Sequence, residues 1–201
     1  LGLRYARFMG EDFDLMEIAK LAAKYDYVNL FSYNKLELPN FRVREQKTPI
    51  IDLSQNLENI FSKFRRDTKS GIKKSEAVRG LTFAVPDNNL EESYKLYERI
   101  KSKDGVNPDI KRDFKNCIFF NAYLDGRMIV SASFYGNGVT MRSKHIVSLR
   151  KDMGSQNKIA AWATRCLLWD VCKYAKTRGY RNFDLGGVDF NDPAKKGILD
   201  F

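Results

Sequence analysis

The sequence predicts an α/β fold built on a mixed sheet, and three observations carry that expectation. Residues 117–124 (CIFFNAYL) and 128–135 (MIVSASFY) are two strand-like runs joined through Asp125-Gly126, the strongest hairpin signal in the chain. Residues 157–178 form a long amphipathic run, with Ile159, Trp162, Ala163, Cys166, Leu167, Val171 and Tyr174 at helical spacing. A short alternating segment, Phe183-Asp184-Leu185, follows that run after Gly179. Strands on both sides of a helix, together with a hairpin, make a mixed but mostly antiparallel central sheet flanked by helices.

Taken in order, residues 11–25 (EDFDLMEIAKLAAKY) read as a helix, with acidic residues in the first turn and Leu15, Ile18, Ala19 and Ala22 in helical register. Residues 27–33 (YVNLFSY) alternate as a strand, and residues 36–48, with Pro39, form a polar connection. Residues 49–53 (PIIDL) are a short apolar strand. Ser54 or Asn56 can cap the helix that carries Leu57, Ile60, Phe61 and Phe64, and Asp67 or Thr68 can cap a shorter one containing Ile72. Residues 81–85 (LTFAV) are a strand that Pro86 should end. Residues 90–101 place Leu90, Tyr94, Tyr97 and Ile100 on one helix side, and a short helix after Pro108 precedes the hairpin. A turn at Gly136-Asn137-Gly138 leads into a third strand, 139–148. Gly179 sits where a helix ends on a left-handed residue, just after Lys176 and Arg178. There is no repeat or low-complexity tract, so one domain over 1–201 is expected.

Of the 201 residues, 43% are hydrophobic and 13% aromatic, which excludes a disordered chain. The formal charge of +10 calls for an anionic partner: nucleic acid, a membrane surface or a phosphorylated metabolite. Three cysteines and one histidine make no zinc pattern, and no metal is expected. Cys117, Cys166 and Cys172 read as reduced, packed thiols. With no signal-peptide pattern and no transmembrane run, the expected compartment is the cytoplasm. The sequence opens on Leu1 and not Met, so further N-terminal sequence is expected.

Several residues are candidates for chemistry. The glycine loop around Gly154, feeding the N-terminus of the long helix, is a ready phosphate site through the backbone of Gly154, Ser155 and Asn157. Asn157 reads equally as a helix cap. Lys63, Arg65, Arg66, Lys69, Lys73 and Lys74 concentrate around one helical corner, which reads either as a solvated face or as a phosphate site. His145 and Asp184 lie on the strands before and after the long helix. Each reads as a general base, or as a packing histidine and a structural carboxylate. Tyr135 and Trp162 can stack a base or line an acyl pocket, or belong to the core.

Residues 49–54 (PIIDLS), Leu57-Glu58 and 64–76 (FRRDTKSGIKKSE) resemble the Fem family. So do residues 157–162, Gly179-Tyr180 and 183–187 (FDLGG), with a weaker match over Gly197-Ile198 to Phe201. Those enzymes form peptidoglycan interpeptide bridges and share a fold with the GCN5-related N-acetyltransferases (GNAT). The chain departs from them in size, because Fem enzymes carry two such domains and often a helical arm. Single-domain relatives imply an acyl-CoA-dependent N-acyltransferase acting on an amino sugar carried by a nucleotide diphosphate, for surface polysaccharide. Two-domain relatives imply aminoacyl transfer from tRNA to a peptidoglycan precursor. The resemblance places 139–148, 150–156, 157–178 and 181–187 as strand, pyrophosphate turn, helix and splayed strand. Lys151, Gly154 and Gln156 match the family turn in part. On this reading Lys151, Gly154, Ser155 and Asn157 hold the pyrophosphate of acyl-CoA, and Arg65, Arg66, Lys69 and Lys73 meet the acceptor diphosphate. A basic nucleic-acid-binding module is the non-enzymatic alternative.

Overall fold

A computed structural model describes residues 3–10, 13–39 and 41–186. They fall into two compact units, 1–45 and 46–201. In the first unit, strand β1 (Tyr5–Gly10), helix α1 (Leu15–Lys24) and strand β2 (Tyr27–Ser32) form a parallel βαβ unit, with Tyr5 opposite Tyr27 and Gly10 opposite Ser32. Strand β1 was not expected from the sequence. Helix α1 starts later than expected because Asp14 caps it, accepting from the Met16 N–H at 2.8 Å; Glu11 and Asp12 lie outside the described residues.

The second unit carries a six-stranded sheet in the order β3-β8-β7-β6-β5-β4. Its strands are β3 (Ile50–Asp52), β4 (Leu81–Asp87), β5 (Ile118–Leu124), β6 (Arg127–Gly136), β7 (Thr140–Ser148) and β8 (Asn182–Asp184). Every neighbouring pair is antiparallel except β7 with β8. The parallel pair is the one joined through helix α5 (Asn157–Thr177), as a crossover connection requires. Strand β4 runs through Pro86 instead of stopping before it. It is an edge strand, and its register shifts between Ala84 and Asp87, so a residue without an N–H is tolerated there.

Helices cover both faces of this sheet. Phe120 on β5 packs against Tyr174 of α5 at 5.2 Å, whereas its neighbour Asn121 donates to Ser93 of helix α4 (Leu90–Lys103) on the other face. On the α5 side, Ala163, Leu167, Val171, Cys172 and Ala175 are fully buried in one cluster with Phe120, Phe134, Met141 and Phe183. Phe134 stacks on Phe183 at 5.4 Å and meets Phe120 edge-on at 5.6 Å. Burial pushes the Cys172 thiol up to about 12, in keeping with a packed, unreactive cysteine.

Helix α2 (Leu57–Lys63) is capped by Asn56, which accepts from Asn59 at 2.7 Å. Helix α3 (Arg66–Glu76) begins at Arg66, without a side-chain cap and ahead of the two residues expected to cap it. Asp67 instead lies in its first turn, at the positive end of the helix, and Thr68 is buried. Helix α3 packs on α5. Gly179 ends the α5 segment with φ +83°, as expected. The second half of the Gly186-Gly187 pair and residues 197–201 lie outside the described residues.

Candidate functional site

Strand β7 positions a close group of ionisable side chains. Its pairing with β6 slips between Ser133–His145 and Phe134–Ser143, leaving Lys144 as the extra residue of a bulge. Without the bulge, Lys144 and His145 would point to opposite faces. With it, both reach Asp109: the Lys144 ammonium at 3.0 Å and His145 Nε2 at 3.0 Å. Asp109 follows Pro108 in the loop after α4, and its backbone is pinned on both sides. Its N–H donates to the Tyr97 hydroxyl at 2.9 Å, and its carbonyl accepts from the Tyr94 hydroxyl at 3.1 Å.

Charge states in this group follow from geometry. Its hydrogen bond with His145, seconded by Lys144, holds the Asp109 carboxyl far below the usual carboxylate range. Burial pushes the His145 imidazole below its ordinary value, and Asp109 only partly opposes that. Burial also works against the charge on Lys144, but its bonds to Tyr135 and Asp109 prevail and its pKa is raised. At neutral pH the group therefore holds a carboxylate, an ammonium and a neutral imidazole. The neutral ring donates Nε2–H to Asp109 and keeps a lone pair on Nδ1. Tyr97 and Phe114 flank the ring at 4.4 and 5.6 Å, and 23% of its side-chain surface is exposed. The Tyr135 hydroxyl donates to the Asp113 carbonyl at 3.3 Å, with Lys144 5.5 Å from its ring.

Asp184 stands in a different setting. It is fully buried on β8, ion-paired with Arg142 of β7, and accepts from the Thr48 hydroxyl and, at 2.8 Å, from the Gly186 N–H. Those contacts tie the two parallel strands to the segment before β3. Among the described residues, the β7–β8 pairing ends at Arg142 with Asp184, so 143–148 run on beyond it.

Past β7 the chain makes two 3-10 turns, Leu149–Asp152 and Gly154–Gln156, before α5 begins. Gly154 has φ +50°, which lets the chain double back into the helix. No side chain caps α5 and its first turn has no acidic residue, so its amide end presents positive potential at exposed Gly154, Ser155 and Asn157. Asp152 anchors the turn to α4 through Arg99, at 2.9 Å, and Lys103. The Lys151 ammonium pairs with Asp104 at 2.7 Å. Arg65, just before α3, and Arg66 and Lys73 on it are exposed, and Lys69 donates to the Ser62 carbonyl at 2.8 Å. Trp162 lies between α3 and α5, with the Lys74 ammonium 5.5 Å from its ring.

The structure thus brings His145 together with Tyr135, and gathers Lys151, Gly154, Ser155 and Asn157 into one turn. Asp184 is held by Arg142, Thr48 and Gly186, and Arg65, Arg66, Lys69 and Lys73 lie at the start and along the length of α3. Sequence reasoning missed Asp109 and Lys144. Asp109 is 36 positions from its histidine, so no spacing could reveal it. The role of Lys144 depends on a bulge with no signature in a β-rich run. Among the described residues, no cluster of three or more His, Cys, Asp or Glu side chains suits a metal ion. No helix among them is long and apolar enough to cross a membrane.

No protein-family model matches the chain, and no curated protein matches it by sequence. Solved structures do match its fold. FemX superposes with a TM-score of 0.58 at 12% identity, over 72% of this chain and 54% of that one. The C-terminal DUF2156 domain of a protein assigned as a lysylphosphatidylglycerol synthetase, from Agrobacterium fabrum, gives 0.49 at 13% identity over 71% and 47%. A protein from Xanthomonas campestris assigned to the GNAT acetyltransferases gives 0.43 at 16% identity over 60% and 83%. At 12% identity the likeness to FemX is one of fold alone, and the other two, below 0.5, add nothing to it. The chain spans about half the length of the FemX structure it matches. The fold is like that of FemX: a mixed, mostly antiparallel sheet with helices on both faces.

Proposed function

We propose that the chain is an N-acyltransferase that moves an acyl group from acyl-CoA to the amine of a nucleotide-diphosphate-linked amino sugar. The observation that carries this reading is the Asp109–His145 pair, a carboxylate holding a neutral imidazole beside the strand that feeds an uncapped helix N-terminus. In the reaction, the amine nitrogen bonds to the thioester carbonyl carbon, the C–S bond breaks and the thiolate leaves. The proton released by nitrogen passes to His145 Nδ1 and ends on sulfur. Asp109 fixes the tautomer that leaves Nδ1 open and supports the imidazolium when it forms.

The donor's pyrophosphate is proposed to sit on the backbone amides of Gly154, Ser155 and Asn157, with Lys151 nearby. Its extended arm would follow β7 beyond Arg142. We place the base at His145 and not at Asp184, because three donors and full burial already occupy Asp184. Arg65, Arg66, Lys69 and Lys73 are proposed to draw the anionic acceptor in. Tyr135, fixed beside Lys144, would face the acyl group. Such an enzyme serves surface polysaccharide synthesis from cytoplasmic metabolites.

Aminoacyl transfer, with the amino acid delivered on tRNA, is the second reading, favoured by the likeness of fold to FemX. One calorimetric experiment separates them. Titration with CoA at two salt concentrations is expected to give saturable, micromolar, one-to-one binding. No CoA binding, with tight and salt-sensitive binding of tRNA, would overturn the first reading in favour of the second.

A further inference from the structure

Helices α3 and α5 present matching surfaces to each other. Asp67, Ser70, Gly71 and Lys74 of α3, and Lys158, Ala161, Trp162 and Arg165 of α5, each recur at i, i+3, i+4 and i+7, one face of a helix. With Arg150 from the turn after β7, they line a cleft of about 320 Å³. Four cations converge on it, Lys74, Arg150, Lys158 and Arg165, against the single carboxylate of Asp67. Among the described residues none of the four makes an ion pair. Elsewhere in the same unit Arg99, Lys103, Lys151 and Lys173 each have a carboxylate partner. Like charges brought together without counter-charge repel, and the arrangement is favourable once an anion joins them.

The floor of the cleft depends on Gly71. A Cβ there would come within 2.8 Å of Arg165 Cδ and 3.4 Å of Trp162 Cδ1, so the missing side chain is what lets Arg165 lie across α3. The Lys74 ammonium, 5.5 Å from the Trp162 ring, is held by the indole face and not by a carboxylate, which leaves its charge available to a ligand. The four cations line one cleft between two helices. A compact, multiply charged anion fits that arrangement; an extended phosphodiester backbone would want its cations in a row.

We infer that the α3–α5 cleft is a binding site for a diphosphate group, with the guanidinium of Arg165 and the ammonium of Lys74 as its principal contacts. This deepens the acceptor half of the reading above, because it places the diphosphate of a nucleotide-linked acceptor on residues distinct from the outer corner of α3. The donor half can fail without touching it.

The test is calorimetric titration of the full chain with inorganic pyrophosphate, and then with a nucleoside diphosphate. It is repeated on Lys74→Gln/Arg165→Gln and on Lys95→Gln, an exposed lysine of α4. Circular dichroism establishes that both variants fold, and CoA is titrated into each. With CoA present in excess to fill the proposed donor site, pyrophosphate is expected to bind one-to-one and saturably. The double variant should weaken it roughly tenfold or more, since two charge-assisted contacts are lost, and Lys95→Gln should leave it unchanged. CoA binding that persists in the double variant separates this cleft from the donor site; CoA binding absent throughout removes only the donor reading. Absence of saturable pyrophosphate binding, or binding that survives the double substitution, would overturn the inference. So would a short single-stranded oligonucleotide that displaces pyrophosphate at lower concentration, since it would show a nucleic-acid surface.

Discussion

The behaviour of His145 on β7 is the sharpest test at the scale of a single side chain. Burial holds its imidazole below 6.5, so the ring is neutral through neutral pH. Activity should be flat there and should fall on the acid side only below pH 6.5, as Nδ1 takes up a proton and the base is lost. Asp109 raises the imidazole pKa against the effect of burial. Asp109→Asn removes that support, so the acid limb should move to still lower pH, while the plateau drops because nothing holds the tautomer. His145→Gln should reduce kcat/KM by roughly 10²–10⁴-fold, with CoA affinity little changed. The pH profile separates a base from a merely packed histidine: an acid limb at or above pH 6.5, or an upward shift in Asp109→Asn, would sink the assignment. The sequence showed His145 as a lone histidine on a strand, and it showed Asp184 between two apolar neighbours. It could not show which of the two was desolvated and which was already saturated with donors, because Asp109 is 36 positions from His145 and Thr48 is 136 from Asp184.

At the scale of elements, the helices and the central meander were legible because each carries its own period. The face of α5 and the β5–β6 hairpin are local patterns, and tertiary packing agrees with them. Where packing overrides the local signal, reading failed. Pro86 stays in β4 because it falls on an edge strand at a register slip, and the start of α3 depends on no capping side chain at all. Strand β1 offers no clean alternation, since Tyr5, Arg7 and Met9 mix polar and apolar character on one side, and only pairing with β2 makes it a strand. The contact between α3 and α5 was also invisible, because nothing local marks Gly71 as a point of close approach. Gly71→Leu tests it. A better helix former gains about 1 kcal/mol of propensity, while forcing a side chain into the space of Arg165 costs about 1–3 kcal/mol. The variant should therefore unfold at lower urea concentration and lose pyrophosphate binding together. Retention of both would mean that α3 and α5 can separate freely and that the cleft is not set by this glycine.

For the molecule as a whole, burial is distributed unevenly between the two units. Among the described residues, the first buries only Ala6 and Ile18 of its hydrophobic side chains, under a two-stranded sheet and one helix. The second buries the entire cluster that runs from Leu53 to Leu185, including Phe120, Phe134, Phe183 and the inner face of α5. A two-stranded sheet with so little apolar cover has little to resist local opening, whereas strands inside a six-stranded sheet can exchange only when most of the core is lost. Native-state hydrogen exchange should then divide along the same line. Amides of β5, β6 and β7 should be protected by close to the global unfolding free energy. Those of β1 and β2 should exchange through openings lower by about 2 kcal/mol or more, with a weaker dependence on denaturant because less surface is exposed. If β1 and β2 were as protected as β6, with the same denaturant dependence, the two units would open as one cooperative body. Since the dyad, the α5 N-terminus and the cationic cleft all lie in the second unit, exchange in β1 and β2 should respond little to pyrophosphate or CoA. The amides of α3 and of the first turn of α5 should slow when either ligand binds.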